Sequence, residues 1–453
     1  MGRELFGTDG IRGEAGKYPL DPATVSVTGS VLGEWVAGSG RDRAVVIGMD
    51  TRESGPWIAA QLAASLRKHS VSVSFAGVTT TPAVAYLAKT GPFAAGVMIS
   101  ASHNPYHDNG IKVIGHSGFK LPDDTEAALE WKILAQLPGV AADNPPYLAV
   151  DSALDLQYSD FLASILPSKT PFSGLEIVMD CANGGASALA PELFERLGAS
   201  VFRIGAAPDG RNINLNCGSL HLAHLQEQVI ARKAALGVAF DGDADRALFV
   251  SRSGKMIDGD AILLIMGRAL LASGRLSGKN GEPVVVATVM SNLGLEIALT
   301  NAGIRMLRTP VGDRYVLEEM VRTGAILGGE QSGHVIFLDH ATTGDGLLTA
   351  LLVVNQVQTS GRTLDQLADG LEIFPQRLVN VRVRNKRPLE ELSAVREEIR
   401  AAEESFGKSG RVLVRFSGTE PLARVMVEGP DLERVERFAG RIAATIQSEL
   451  GSE

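Results

Sequence analysis

The chain has little of what builds small secreted or membrane-bound folds. Only two of its 453 residues are cysteine, Cys181 and Cys217, and they form no CxxC, so no disulfide framework is implied. Aromatic residues make up 5%, too few for the stacking platforms that hold single-stranded nucleic acid. Basic residues are in deficit: the formal net charge is −9, which argues against a nucleic-acid or anionic-membrane surface. Long apolar runs are missing too. The strongest, AILLIMGRALLA from Ala261, is short and carries Arg268, so it reads as a core helix and not a membrane span. The first residues, MGRELFGTDGIRG, contain no apolar stretch of the secretory kind. They begin Met-Gly, but Phe6 stands where a myristoylation motif has Ser or Thr. The expected location is a reducing cytoplasm.

What is present is an ordinary globular composition, 45% hydrophobic and 21% charged. One pattern occurs three times. VVIGMDTR at Val45 leads to an apolar-periodic run, Trp57 to Arg67, and then VSVSFAGV. IVMDCANGG at Ile177 leads to ALAPELFERLG and ASVFRIG; VVVATVMSNLG at Val284 leads to LEIALTNAG and IRMLRT. Each reads as strand, turn, helix and strand, the unit of a parallel α/β sheet. The tail differs: alternating LVNVRVRN from Leu378, a helical period over Leu389–Glu404, two strands RVLVRF and ARVMVEG, and a helix from about Leu432. The expectation is α/β: three related mixed or parallel-sheet domains in series, 1–150, 151–253 and 254–370, then a smaller α+β domain, 371–453. LPGVAADNPPY, Leu137 to Tyr147, reads as the first linker.

Four short segments carry chemistry. GVMISASHNPYHDNGIKV, from Gly96, runs from a buried strand into a turn rich in hydroxyls, which Pro105 forbids from continuing as strand. Such strand ends are where open α/β sheets bind ligands. VAFDGDADRALFV places Asp241, Asp243 and Asp245 two residues apart after an apolar strand. In extended backbone the three face one way, and they repel unless a cation lies between them. An EF-hand is excluded, because its sixth and twelfth positions hold Arg246 and Arg252. Oxygen ligands with room for a phosphate oxygen suit Mg²⁺. GGEQSGH, Gly328 to His334, sets Glu330 and Ser332 two apart, a carboxylate and a hydroxyl suited to paired sugar hydroxyls, with His334 beside them. RFSGTEPLAR joins two strands: Gly418 lets backbone N–H groups approach an anion, Ser417 and Thr419 add hydroxyls, and Arg415 and Arg424 suit a phosphate.

Together with FGTDGIRG and TPVGDRYV, these segments resemble the α-D-phosphohexomutase superfamily over essentially the whole chain. Gly312-Asp313 stands where the mannose/glucose branch tends to carry Gly-His, which favours the glucosamine branch. The resemblance implies interconversion of glucosamine 6-phosphate and glucosamine 1-phosphate, toward UDP-N-acetylglucosamine and peptidoglycan, by four domains around one cleft and a homodimer. It implies that Ser102 is a phosphoserine and that Ser102, Asp241, Asp243 and Asp245 ligate Mg²⁺. Glu330, Ser332 and His334 match sugar-binding positions. Arg415, Ser417, Gly418, Thr419 and Arg424 match the distal-phosphate loop, and Arg12, His103, Lys112 and Arg246 match positive positions near the phosphoserine. Lys112, as a lysine among cations, is the expected proton acceptor. The alternatives are a phosphoglucomutase or phosphomannomutase, or a silent sugar-phosphate sensor.

Overall fold

In the computed structural model, residues 4–7, 9–137, 145–388, 391–417 and 421–451 are described. They form two compact units. One comprises the chain up to Val289 with Leu307–Asp369, and the other Met290–Met306 with Gly370–Glu453.

The first unit holds three sheets. Strands β1 (Phe6–Gly7), β2 (Gly10–Glu14), β3 (Ala44–Met49), β4 (Ser72–Val78), β5 (Ala95–Ile99) and β6 (Asp108–Gly115) assemble in the order β1-β2-β6-β5-β3-β4. Strands β7 (Glu176–Asp180), β8 (Ser200–Ile204), β9 (Leu236–Phe240), β10 (Ala247–Ser251) and β11 (Met256–Ile257) follow as β11-β10-β9-β7-β8. Strands β12 (Val284–Thr288), β13 (Arg305–Thr309), β14 (Leu327–Gly329) and β15 (Val335–Phe337) follow as β13-β12-β14-β15. The repeat is therefore topological as well as sequential. In each sheet a central parallel strand (β3, β7 or β12) pairs with a later parallel strand (β5, β9 or β14), whose next neighbour is antiparallel (β6, β10 or β15). The serine turn, the acidic turn and GGEQSGH are the three equivalent turns at that switch from parallel to antiparallel.

Burial explains why these segments are strands. Val45–Ile47, Val97–Ile99 and Val284–Ala287 are buried, as expected of strands covered on both faces. Helices follow the expected segments: Gly55–Arg67 begins with Pro near its first position, where the missing N–H costs nothing. AILLIMGRALLA lies in helix Gly259–Ala272, whose start is capped by the Asp258 side chain on the Ala261 N–H at 3.1 Å. Among the described residues, no helix is long and apolar enough to cross a membrane.

The second unit is built on β16 (Gln376–Arg382), β17 (Arg411–Phe416) and β18 (Leu422–Glu428), antiparallel in the order β16-β18-β17. Helices Ser393–Phe406 and Leu432–Leu450 pack on it. In the last helix, Val435, Phe438, Ala439, Ile442 and Ile446 make one buried stripe at helical spacing. Segment 290–306 joins this unit through side-chain bonds: Asn292 exchanges two bonds of 3.0 Å with the Phe374 backbone, and Glu428 accepts from the Leu293 N–H at 2.9 Å.

Candidate active site

Ser102 is buried in the turn between β5 and β6, with φ of +50°, a left-handed conformation uncommon outside glycine. Asp50, just past β3, is fully buried and accepts from the Ser100 hydroxyl at 2.6 Å; that hydroxyl accepts from the Ser102 N–H at 2.9 Å. Arg52 forms a buried ion pair with Asp50 at 2.9 Å and donates to the carbonyl oxygens of Ser102, Asn104 and Pro105.

The acidic turn lies against this serine. Its carboxylate oxygens come within 4.8 Å of one another, and Ser102 Oγ donates to Asp241 Oδ2 at 2.5 Å. The two turns touch at backbone level: a Cβ on Gly242 would stand 2.3 Å from the Ser102 carbonyl oxygen. Thr81 adds its hydroxyl to Asp243 Oδ2 at 2.5 Å and its N–H to the Asp243 carbonyl at 3.0 Å. The carboxylates converge for a different reason from the one the sequence suggested. Strand β9 ends at Phe240, and Ala244 adopts φ of +54°, so the acids sit on a tight turn and not on extended backbone.

Burial and repulsion from Asp245 and Asp243 push the Asp241 carboxyl above its ordinary range. Asp245, despite burial, is held below it by His334, Lys112 and Arg246. Asp243 Oδ1 and Asp245 Oδ1 are buried and make no hydrogen bond among the described residues. Buried carboxylate oxygens that make no hydrogen bond, on a turn that meets a serine oxygen, fit a hard divalent cation.

The cations around the serine need correction. Lys112 is buried not among cations but among acids: Nζ lies 2.6 Å from Asp243, 3.0 Å from Asp9 and 4.0 Å from Asp245. Burial alone would lower its pKa, but Asp243, Asp9 and Asp245 outweigh burial and hold it above the ordinary lysine value. Lys112 is therefore a fixed cation, and the expectation of a proton acceptor fails. His103 Nδ1 lies 3.4 Å from Ser102 Oγ, and burial with Arg246 and Arg12 lowers its pKa against the pull of Asp245 and Asp243, which works against the positive charge expected of it. Arg246 is held charged: burial works against it, but Asp245, Asp241 and Glu330 outweigh it. Arg12 pairs with Asp9.

In GGEQSGH, Glu330 Oε1 accepts from the Gly312 N–H at 3.1 Å, and Ser332 Oγ is buried without a hydrogen bond among the described residues. His334 departs from its expected sugar contact. It is 3% exposed, with Nε2 accepting from the Gly344 N–H at 3.1 Å and Nδ1 3.7 Å from Asp245. Burial opposes its charging, while Asp245, Asp313 and Glu330 favour it. Together the acids outweigh burial and raise its pKa, while the Gly344 bond falls on Nε2 and leaves Nδ1 to carry a proton toward Asp245.

In the second unit, Arg415 and Arg424 are directly opposed partners on β17 and β18. Burial and the Arg424 charge lower the Arg415 pKa. Two opposed guanidiniums destabilise a sheet unless an anion lies between them. Ser417 is buried beside them, and its carbonyl accepts from Lys386 Nζ at 2.5 Å. Gly418 and Thr419 lie outside the described residues.

Residue-by-residue reading missed Asp9, Asp50, Arg52, Lys120 and Asn214. Lys120 bridges Asp9 and Asp313 at 2.5 and 2.6 Å. Asn214 donates to the Ser102 and Asn104 carbonyls at 2.9 and 3.1 Å. For Asp50 and Arg52 the available signal was the DTR that follows VVIGM, two charged residues directly after a buried strand.

Four domain families match this architecture in series. They are described as phosphoglucomutase/phosphomannomutase alpha/beta/alpha domain I (residues 3–137), domain II (157–254), domain III (258–374) and the C-terminal domain (378–445). The chain belongs to the phosphoglucomutase/phosphomannomutase family. It has the four-domain α/β architecture of these phosphohexomutases. Phosphoglucosamine mutase of Solibacter usitatus is 59% identical over 451 residues, covering 100% of both chains. Among solved structures, a phosphoglucomutase/phosphomannomutase family protein from Burkholderia thailandensis aligns at a TM-score of 0.79 and 25% identity, covering 97% of each chain. Aspergillus fumigatus N-acetylphosphoglucosamine mutase, solved with GlcNAc-6P and magnesium, aligns at a TM-score of 0.67 and 19% identity, covering 98% of this chain and 96% of that one. Within the phosphohexomutase fold, the acidic triad is a place that can hold a metal ion.

Proposed function

We propose that the chain is a phosphoglucosamine mutase, interconverting glucosamine 6-phosphate and glucosamine 1-phosphate through a phosphoserine at Ser102 and a bisphosphorylated sugar. The observation that supports this most is the 2.5 Å approach of Ser102 Oγ to Asp241 Oδ2. It brings a buried nucleophile from one turn to three carboxylates on another. The 59% full-length identity to a curated phosphoglucosamine mutase supports the choice of sugar.

In this reading, Arg415, Ser417 and Arg424 hold the substrate phosphate that is not reacting, and Glu330 and Ser332 hold sugar hydroxyls. Ser102 passes its phosphoryl group to O1 of glucosamine 6-phosphate: the Oγ–P bond breaks, the P–O1 bond forms, and the O1 proton ends on the Ser102 hydroxyl. The bisphosphate turns end for end, and Ser102 recovers a phosphoryl group from O6. Catalysis is then mainly alignment and charge neutralisation. Mg²⁺ bound by Ser102, Asp241, Asp243 and Asp245 would offset charge on the moving phosphoryl group. Lys112 and Arg246 add fixed positive charge, and neither moves a proton.

We place the enzyme in the cytoplasm, feeding UDP-N-acetylglucosamine synthesis, as a homodimer; sedimentation of the purified protein at the mass of one chain would contradict the dimer. The sugar is tested by kcat/KM for the 6-phosphates of glucosamine, glucose and mannose. A preference for glucosamine of about 100-fold or more is expected of a site that pairs a polar substrate group. Equal or reversed values would replace the reading with a phosphoglucomutase or phosphomannomutase.

A further inference from the structure

Two side chains outside the matched motifs converge on the same pair of carbonyl oxygens. Arg52 Nη2 donates to Ser102 O at 2.9 Å and to Asn104 O at 3.0 Å. Asn214 Nδ2 donates to the same two oxygens at 2.9 and 3.1 Å. Arg52 comes from the turn after β3 and is among the largest fully buried side chains in the protein. Asn214 comes from the loop after β8, in the same sheet that carries the acidic turn, and itself holds φ of +59°. The loop is anchored: Asn214 N–H donates to Ala182 O at 2.8 Å, and the Thr51 hydroxyl donates to Asn183 O at 2.5 Å.

A buried Arg–Asp pair is costly to desolvate and adds little stability on its own. Here it fixes geometry at both ends of Ser102. Asp50 secures the Ser102 N–H through the Ser100 hydroxyl, while Arg52 and Asn214 secure its carbonyl. With both ends tied, Ser102 is kept at positive φ, which directs Oγ toward Asp241. Asn214 also lies at the seam of the two turns: a Cβ on Gly242 would stand 3.1 Å from its Nδ2. Serine loop and acidic turn thus share one set of donors.

We propose that Arg52 and Asn214 form a clamp on the Ser102 and Asn104 carbonyls that sets the position of Ser102 Oγ for phosphoryl transfer. This rests on the mutase reading above. Both are positioning residues; neither is assigned a contact with substrate. The clamp acts on alignment and leaves sugar affinity alone, so it governs kcat and not KM.

The test uses the full-length protein, with Ser102 phosphate counted by intact mass and peptide mapping and kcat expressed per phosphorylated molecule. Arg52→Lys keeps a charge beside Asp50 but loses the fork; Asn214→Ala removes the second donor. We expect kcat to fall about 100-fold and about 10-fold respectively, with KM for glucosamine 6-phosphate unchanged within about twofold. The double variant should be about as slow as Arg52→Lys, because both groups hold the same oxygens. Should Arg52→Lys not fold, Asn214→Ala decides alone. A kcat for Asn214→Ala within about twofold of the parent, or a loss confined to KM, overturns the clamp. A parent protein that carries no phosphate and passes none to sugar overturns the mutase reading and the clamp with it; a transferring parent with unimpaired variants overturns only the clamp.

Discussion

Five of the eight described non-glycine residues with positive φ gather around the serine turn. Ser102, Ala182, Asn183, Asn214 and Ala244 all hold positive φ, and all belong to the serine turn, the acidic turn or the loops beside them. Such conformations persist only where surrounding contacts over-determine them. Ser102→Ala should therefore leave the fold intact and abolish mutase turnover; near-parental turnover in a folded Ser102→Ala protein would remove the serine from the chemistry. A second residue carries a pH signature. Asp345 is buried, caps helix Gly346–Ser360 and accepts from the Tyr158 hydroxyl at 2.8 Å. Burial pushes its pKa up to about 6, with the Leu348 N–H and Tyr158 pulling the other way. The unfolded value is about 3.9, so the folded state binds the proton more tightly. The resulting stabilisation is complete below about pH 4 and is lost as pH rises through about 6, amounting to about 3 kcal/mol. Asp345→Asn keeps the cap acceptor on Oδ1 and sets an amide N–H, which can donate to the Tyr158 oxygen, in place of Oδ2; it should flatten the Tm profile between those limits. An unchanged slope would assign the pH dependence elsewhere.

The three motif turns of the first unit share one address, the switch from a parallel to an antiparallel neighbour. The strand-then-turn placement of each is legible in the sequence alone, because apolar strand runs and the short turns after them are local features. So are Ser102 and the three aspartates, which lie within single turns. The rest is not legible, for a physical reason. Asp9, Arg52 and Asn214 act on partners 50 to 112 residues away, and nothing local marks which carbonyl or lysine each will meet. The Lys112 error has the same origin: its neighbours in sequence are apolar, and its acids arrive from Asp9 and the acidic turn. At this scale Gly242 packs against Ser102 O with no room for a Cβ. Gly242→Ala should force the two turns apart and lower kcat by about 100-fold, with a smaller effect on KM. Parental kcat in that variant would mean that the turns need not touch. Asp243→Asn, in the same turn, should raise the Mg²⁺ concentration needed for half-maximal turnover; an unmoved metal titration would exclude it as a ligand.

At the scale of the whole molecule, the second unit contributes the opposed guanidiniums of Arg415 and Arg424. In Arg424→Ala the Tm gain from added sugar phosphate should shrink and KM should rise. A variant stabilised by sugar phosphate as well as the parent would take Arg424 out of the phosphate site. Chelation should stop turnover by the whole enzyme, and Mg²⁺ should restore it. The central claim, that one serine oxygen stores the phosphate and delivers it beside a bound metal, is tested most directly by a single turnover. Protein carrying labelled phosphate, mapped to Ser102, is mixed with glucosamine 6-phosphate and Mg²⁺. The account predicts that the label leaves Ser102 for the sugar at least as fast as steady-state turnover and stays on the protein when the metal is chelated. Label that maps to another residue, or that remains on Ser102 while unlabelled sugar phosphate is converted, would contradict it.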